Sequence, residues 1–458
     1  MRRQLPPWAM GLAGAPLGFY FGFISTATPI LLAAHGVSVG KISEVSAWGF
    51  SPTFWAFLLC PILDVRFSKR TYAFFFAAMA AVCAGVSTLL TFHLLAFTLV
   101  LTLGCTAAVI FGNAHQGWLP DVMEDKHYSA VGGTSNIANL GAAGLFATLA
   151  IVLVRKLPAL PAAGLLALTV MAPTAMLFFI PVPPVRKKSF VRIISEPWAP
   201  PSWLSGRLAP RGRRWLEREL LILQRDFRGI AHSLWVPMPE WLKVFLRPII
   251  RFLRELWVVC KRPGCILGIV CFVSPTACFA LTNLFSGMGE DFHTPESLVT
   301  ALNGTAVAVV CSAGCLAGIW FCSRYLRRDV YIVTGFGGAA AALGMIWAPH
   351  TLVWYATGVL VYNFFQGINY TAFTSLSLEI VGPGNPLSST QIALLAASAN
   401  LPISYMTAVD GHFHTTHGLR GMLAVDALSS VVVGTALLVV FHSLKVGKAA
   451  QAAVLAGG

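Results

Sequence analysis

Charge is scarce in this sequence of 458 residues, because charged side chains make up only 11% of it. In a soluble globular protein about a quarter of the residues are charged. This shortage, with a hydrophobic fraction of 56% and a mean hydropathy of +0.72, excludes a soluble protein and predicts one that lies in a lipid bilayer. The alternation of apolar and polar residues that marks membrane β-barrel strands is also missing. The continuous apolar runs therefore predict an all-α integral membrane protein.

Motifs for cofactors, metals and disulfides are missing as well. The glycines of 335–338 lie inside an apolar run with no strand before it, so they are no dinucleotide fingerprint. The ten cysteines fall inside or at the ends of apolar runs, which predicts core packing. His412, His414 and His417 follow Asp410 closely, but an exterior turn there would lack the rigid scaffold of a zinc site. We therefore expect no catalytic residue, no metal and no cofactor.

Twelve apolar runs are about 20 residues long, the length that crosses hydrocarbon as a helix. Six are centred near Gly18, Phe54, Ala81, Val109, Gly144 and Thr169. The other six are centred near Cys271, Val309, Ala341, Leu360, Ala399 and Val433. The runs predict an N-terminal six-helix half over 1–181 and a C-terminal six-helix half over 263–458.

The central stretch, residues 182–262, carries 17 of the 32 Lys and Arg residues and a net charge of +11 out of +14. Within it, 211–230 and 240–259 place charged residues on one side and aromatic or aliphatic residues on the other. Such helices lie in the headgroup layer, so we expect this loop to bind anionic lipid headgroups rather than nucleic acid. With the loop and both termini in the cytoplasm, 28 of the 32 basic residues lie inside, as is usual in a multi-pass protein of the cytoplasmic membrane.

The two halves repeat each other in three places. The matching segments are 113–117 with 363–367, 66–70 with 324–328, and 138–140 with 399–401. They occur in the same order, at offsets of 250, 258 and 261. Two halves in the same orientation, joined by a cytoplasmic loop, give the parallel repeat of the major facilitator architecture.

A more specific resemblance begins at Ser389. The segment Ser389-Thr-Gln-Ile-Ala-Leu-Leu395, followed by Asp410-Gly411, resembles the corresponding segment of AmpG-type muropeptide permeases. This resemblance implies proton-driven import of anhydro-muropeptides into the cytoplasm. The sequence resembles acetyl-CoA transporters more distantly.

The turn after the second run also resembles the architecture's pattern. There an acidic and basic motif latches the halves together, and Asp64, Arg66, Lys69 and Arg70 look like a version without its glycines. The alternative is that these cations only mark the cytoplasmic side.

Amides on the fourth and tenth runs are the main candidates for contact with a solute. Asn113 and Gln116 share one helix face, as do Asn363, Gln366 and Tyr370. Carboxamides donate and accept hydrogen bonds, which suits sugar hydroxyl and acetamido groups. The alternative is hydrogen bonding between helices. Two single residues, Tyr20 and Asn283, are further candidates.

Proton coupling requires an ionisable group inside the membrane. The candidates are His115, Glu44, Asp410 and Asp426. The three acids fall near the ends of apolar runs, so none is central by sequence. Coupling is thus implied mainly by the resemblance.

These features predict a monomeric secondary transporter of a polar, sugar-containing solute. The alternatives are an exporter of amphiphilic drugs or lipids on the same fold, and a membrane sensor or enzyme that transports nothing. An enzyme would need a nucleophile with a positioned base or a metal site, and the histidine cluster is the one weak candidate.

Overall fold

The computed structural model describes residues 6–64, 67–182, 263–385 and 387–443. These residues are helical apart from their turns, and the parts that belong to 1–183 and 269–458 form one compact unit. The expected amphipathic helices of the central stretch lie outside the described residues, as does Arg66.

The helices of the described residues form twelve spans, six in each half. The first six are Pro7–Leu12 with Ala15–Ala34, Val39–Phe50 with Pro52–Trp55, Ala56–Leu58 and Cys60–Asp64, Lys69–Leu89, Leu94–Val122, Tyr128–Lys156, and Ala159–Met171 with Ala172–Phe179. The last six are Pro263–Val273 with Ala280–Asn283 and Phe285–Met288, Glu296–Arg324, Arg327–Trp347, Leu352–Val381, and the two parts of Ser388–Ser443 on either side of Gly418. Every centre expected from the sequence falls inside one of these spans.

Eight helices of the described residues are long and apolar enough to cross a membrane. One of them, Ser388–His442, contains the eleventh and twelfth spans, which separate at Gly418 with φ 68°. The second and seventh spans are interrupted, and the tenth is a continuous helix of 30 residues whose buried face is rich in Asn, Gln, Ser and Thr. Part of this face bonds neighbouring helices, because Asn369 donates to the hydroxyl of Thr334 and Thr371 donates to the carbonyl of Cys315, both at 3.1 Å.

The seventh span unwinds between its first helix, which ends at Val273, and the turn that begins at Ala280. Pro275 lies in this gap, lacks a backbone N–H and disfavours helix at the residue before it. Ala277 and Phe279 have φ of 59° and 55°, in the left-handed region that side chains other than glycine rarely adopt. Irregular backbone inside a membrane protein is tolerated where protein or a cavity surrounds it.

Close helix packing depends on glycine where the eighth and tenth spans cross. A Cβ added at Gly367 would overlap the carbonyl oxygen of Cys311, and one added at Gly314 would overlap that of Phe364. The nine cysteines among the described residues are buried and form no disulfide.

Candidate functional site

The carboxylate of Asp64, the last residue of the second span, lies at the start of the eleventh. It accepts hydrogen bonds from the backbone N of Ser389 at 3.2 Å, the backbone N of Thr390 at 2.9 Å and the hydroxyl of Thr390 at 2.7 Å. The first N–H groups of a helix have no acceptor within the helix, and the positive end of its dipole favours an anion. Asp64 of the first half thus caps a helix of the second half.

Lys69, the first residue of the third span, makes a neighbouring contact between the halves. Its Nζ donates to the carbonyl of Gly117 at 2.8 Å and to Asp121 Oδ2 at 3.3 Å within the first half. It also donates to the hydroxyl of Ser388 in the second half. Asp121 Oδ1 in turn accepts a hydrogen bond from the backbone N of Gly384 at 2.8 Å.

Arg327 holds the equivalent position in the second half, because it begins the ninth span as Lys69 begins the third. Its Nη1 lies 2.8 Å from Glu379 Oε2 in its own half and 2.6 Å from Asp125 Oδ1 in the other. Its Nη2 donates to the carbonyl of Asp125 at 2.7 Å. In each half, a basic residue at the start of the third helix therefore pairs with an acid of the fourth helix of the same half. It also contacts a residue at the start of a helix, or in a turn, of the other half. We call this end of the bundle, with Asp64, Lys69, Asp121, Asp125 and Arg327, the latch end.

Further polar contacts cross between the halves, and one of them joins Arg327 Nε to the hydroxyl of Ser129 at 3.5 Å. Asn136 Nδ2 donates to the carbonyl of Tyr370 and to Thr374 Oγ1, both at 3.0 Å, and Asn400 Nδ2 donates to the carbonyl of Thr53 at 3.3 Å. They extend from the latch end to the middle of the spans. Within the described ranges, no hydrogen bond or ion pair joins the halves at the opposite end, which we call the far end. The halves are tied together by polar contacts at one end of the bundle.

The predicted substrate-contacting amides divide into two pairs. Asn113 is buried and donates to Cys60 Sγ at 3.4 Å, and Asn363 is buried and donates to the carbonyl of Val359 at 2.8 Å. Gln116 is half-buried and Gln366 is buried, and neither side chain has a hydrogen bond among the described residues. The glutamine amides therefore remain available to a solute, and so does the side-chain oxygen of Asn363, which has no hydrogen-bond partner among the described residues.

The remaining predicted substrate residues have different surroundings. Tyr370 is half-buried on the tenth span, beside the contact that Asn136 makes with its carbonyl. Tyr20 is fully buried, and its hydroxyl donates to the carbonyl of Leu101 at 3.1 Å, so it joins the first and fourth spans. Asn283 is exposed and donates to Thr407 Oγ1 at 3.1 Å.

The other predicted latch residues and two of the proton-coupling candidates make none of the contacts described so far among the residues that the structure describes. Arg70 is half-buried and makes no hydrogen bond or ion pair with the described residues, and Arg66 lies outside them. Glu44 is exposed on the second span. His115 is buried and stacks on Phe111 with ring centroids 6.1 Å apart, and its Nε2 has no partner within the described part of the chain.

Asp410 and Asp426 are not at the surface, although the sequence places them near the ends of apolar runs. They are 0% and 2% exposed, and they lie close enough to interact electrostatically with each other. The hydroxyl of Tyr362 donates to Asp426 Oδ2 at 3.4 Å. Both carboxylate oxygens of Asp410 lack a hydrogen-bond partner among the described residues. We call Asp410 and Asp426 the acid pair.

The expectation of an exterior turn at 410–417 is wrong, because the eleventh helix continues until the break at Gly418. His414 Nε2 lies 3.2 Å from Asp291 Oδ2, a residue of the turn after the seventh span. The part of the chain that the structure describes contains no group of three His, Cys, Asp or Glu residues able to hold a metal ion. His414 therefore connects two elements of the second half.

Sequence reasoning included Lys69 in the latch motif but did not select Arg327 or Tyr362 as site residues. The repeat of 66–70 in 324–328 contains Lys69 and Arg327, so this signal was present. The partners of these cations were not predictable, because they come from other turns of the chain.

Comparison with known proteins identifies the architecture. Residues 10–407 match the sequence profile of the Major Facilitator Superfamily. Among solved structures, the fold is similar to the human organic anion transporter TETRAN, with 16% identity, 94% of this chain and 98% of that chain covered, and a TM-score of 0.59. It is also similar to the proton:xylose symporter XylE, with 11% identity, 94% of each chain covered and a TM-score of 0.56. The E. coli fucose:proton symporter FucP has 13% identity, covers 94% of this chain and 97% of its own, and gives a TM-score of 0.57.

At these identities the likeness to solved structures shows the fold alone. No curated protein sequence matches the chain.

Proposed function

Because the chain belongs to the major facilitator superfamily, we propose that it imports a polar, sugar-containing and muropeptide-like solute by alternating access. The family consists of multi-pass membrane transporters of small-molecule solutes, and secondary transport is the function that its fold supports. The solute, the direction, the orientation in a cytoplasmic membrane and the monomeric state are parts of this proposal.

The observation that carries the proposal is the uneven distribution of contacts between the halves. Hydrogen bonds and ion pairs join the halves from the latch end to the middle of the bundle. Each of these contacts exchanges a partner for water when it opens, so its net contribution is small, about 0.5–1.5 kcal/mol for a typical hydrogen bond. Such a set of contacts supports a bundle that opens at either end in turn, which is how alternating access works in this class of fold.

The orientation follows from the distribution of basic residues. With both termini and the central stretch in the cytoplasm, the latch end faces the cytoplasm and the far end faces the periplasm. In this orientation the described conformation is closed towards the cytoplasm. The central stretch would then lie against the cytoplasmic leaflet and bind anionic headgroups there.

For the solute, the unpaired amides of Gln116 and Gln366 support the assignment. They lie at corresponding positions of the fourth and tenth spans, and each amide group offers two N–H donors and a carbonyl acceptor. Hydroxyl and acetamido groups of a sugar can pair with both parts of such an amide. Among sugar-containing solutes we choose a muropeptide because residues 389–395 resemble the corresponding segment of muropeptide permeases. Asn113, Asn363, Tyr370, Tyr20 and Asn283 complete the proposed set. The side chains of Asn113, Asn363, Tyr20 and Asn283 already make hydrogen bonds, which favours the glutamines over these four as first contacts.

The test is uptake of radiolabelled anhydro-muropeptide, or of its disaccharide, into proteoliposomes with and without an inward proton gradient. We expect accumulation that the gradient accelerates. We also expect uptake to be lost in Gln116→Leu and Gln366→Leu, with the thermal unfolding midpoint unchanged. Thr169→Val is a matched control, because Thr169 is a half-buried residue of the sixth span whose hydroxyl bonds only its own helix.

Other outcomes would redirect the proposal. Unchanged uptake in both glutamine variants would refute the site. Saturable binding without flux would indicate a sensor. Extrusion of an amphiphilic dye, together with no muropeptide uptake, would indicate an exporter of amphiphiles.

A further inference from the structure

No cation among the described residues interacts electrostatically with the acid pair. The spans packed around it carry as titratable groups Cys278 of the seventh, Tyr331 of the ninth, Tyr362 of the tenth and the two aspartates of the eleventh and twelfth. Tyr405 approaches Cys278 from the eleventh span. At the far end the spans also carry Glu290, Asp291, His293, His350, His412, His414, His417 and Arg420, and none of these interacts electrostatically with either carboxylate.

Two carboxylates in such surroundings are costly when both are ionised. Removing a charge from water costs several kcal/mol unless a counter-ion or several hydrogen bonds replace its hydration. The described residues offer Asp426 one long hydrogen bond from Tyr362 and offer Asp410 none. The pair therefore requires a positive charge that the described residues do not supply.

We infer that the acid pair binds the proton that couples this transporter to a proton gradient, an inference that rests on the proposed function. The proton adds to one carboxylate oxygen and leaves later to water on the other side of the membrane. No other covalent bond changes. A metal cation fits this place less well, because it requires several oxygen ligands at short distance, and both oxygens of Asp410 are without a polar partner in the described structure.

The unwound part of the seventh span is held by the same spans that carry the two acids, so proton binding can affect its position. Tyr405 of the eleventh span donates to the carbonyl of Val273 at 2.8 Å, and Ser430 of the twelfth donates to the carbonyl of Pro275 at 3.4 Å. Cys278 and Ala280 pack against Met406, one turn before Asp410. The spans that carry the acids thus also hold the break in the seventh span.

Charge on the pair would control closure of the far end. An ionised pair attracts water and favours separation of the surrounding helices, whereas a protonated pair can stay covered, as both carboxylates are in the described conformation, without that cost. Proton binding from the far end then permits the far end to close and the latch end to open.

Infrared spectroscopy of the full-length protein in liposomes tests the site without any solute. The C=O stretching band of a buried protonated carboxylic acid should appear as the pH is lowered. We expect this band to weaken or shift in Asp410→Asn and in Asp426→Asn, to be lost when both are replaced, and to remain in the control Glu290→Gln, an exposed acid at the same end. Survival of the unchanged band when both aspartates are replaced would overturn the inference. Loss of the band on addition of sodium chloride at constant pH would show that the site binds sodium ions, which would overturn it too.

Transport assays separate this inference from the proposed function. Asp410→Asn should retain exchange of radiolabelled anhydro-muropeptide between the two sides and lose its acceleration by a proton gradient. Asp410→Glu, which keeps the carboxylate, should retain both and serves as a check if the Asn variant fails to fold. Gradient-driven uptake in Asp410→Asn would refute the coupling site and leave the transporter standing. If the infrared C=O band titrates but the protein transports no muropeptide, the result would support the proton site and refute the proposed solute.

Discussion

Removal of the Asp64 carboxylate should loosen the latch end, because this group accepts three hydrogen bonds from the first turn of the eleventh helix. Loss of an N-cap costs about 0.5–2 kcal/mol, and hydrogen bonds to a charged group contribute about 1.5–3 kcal/mol each. In the open state, water replaces part of the hydrogen bonding to this carboxylate. We therefore expect Asp64→Ala to disfavour the closed latch by about 2–3 kcal/mol. The ratio of closed to open molecules would then fall by about 25- to 150-fold.

Hydrogen–deuterium exchange measures this effect at the atoms concerned. The amides of Ser389 and Thr390 should exchange faster in Asp64→Ala by the same factor if they exchange only when the latch is open. Asp64→Asn should be intermediate, because an amide oxygen still accepts but carries no charge. Amides of the twelfth helix serve as the internal control. Unchanged exchange at Ser389 and Thr390 would refute the assignment of Asp64 as a cap between the halves.

Three further predictions concern single side chains. Arg327→Ala should lower the thermal unfolding midpoint, because it leaves Asp125 and Glu379 without their shared cation, and a differential scanning measurement should show a larger drop than for Lys126→Ala, whose ion pair is exposed. Gly367→Leu should prevent the eighth and tenth spans from packing and should abolish the monodisperse peak in size-exclusion chromatography, whereas Gly411→Leu, where an added Cβ meets open space, should preserve it. The hydrogen bond and ion pair with Lys126 lower the pKa of Glu124, so this pair contributes stability above the ordinary Glu pKa and loses it as the pH falls through the lowered value. A carboxyl NMR titration should show that pKa returning towards its ordinary value in Lys126→Ala.

The positions of the twelve spans could be predicted because hydrophobic length alone determines them. The breaks inside spans could not, since they depend on tertiary contacts. Pro275 hints at the break in the seventh span, but the left-handed backbone at Ala277 and Phe279 has no signal in those residue types. The cluster of histidines after Asp410 suggested an exterior turn, whereas the eleventh helix continues because nothing before Gly418 stops it.

The candidate site was less predictable than the fold. The internal repeat pointed to the cations at the start of the third and ninth spans, and these do form the latch end. Their partners depend on how distant turns meet, as when Asp64 meets Thr390, and single-sequence patterns carry no such information. The burial of Asp410 and Asp426 could likewise not be predicted from the sequence, because the position of a residue along a span does not show which neighbouring helix covers its side chain.

The eleventh helix connects the latch end with the acid pair, which leads to a last prediction. Its first turn bonds Asp64, and Asp410 lies some twenty residues further on, or about 30 Å at 1.5 Å per residue. A single helix that contacts both places should transmit a change at one to the other, since proton binding closes the far end and the latch must then open. Asp410→Asn, which imitates the protonated acid, should therefore accelerate amide exchange at Ser389 and Thr390. In Asp64→Ala the same change should have little further effect, because the latch is already open, so the two effects should not add. Additive effects in this double-mutant cycle would show that the two sites act independently, and that the acid pair does not control the latch.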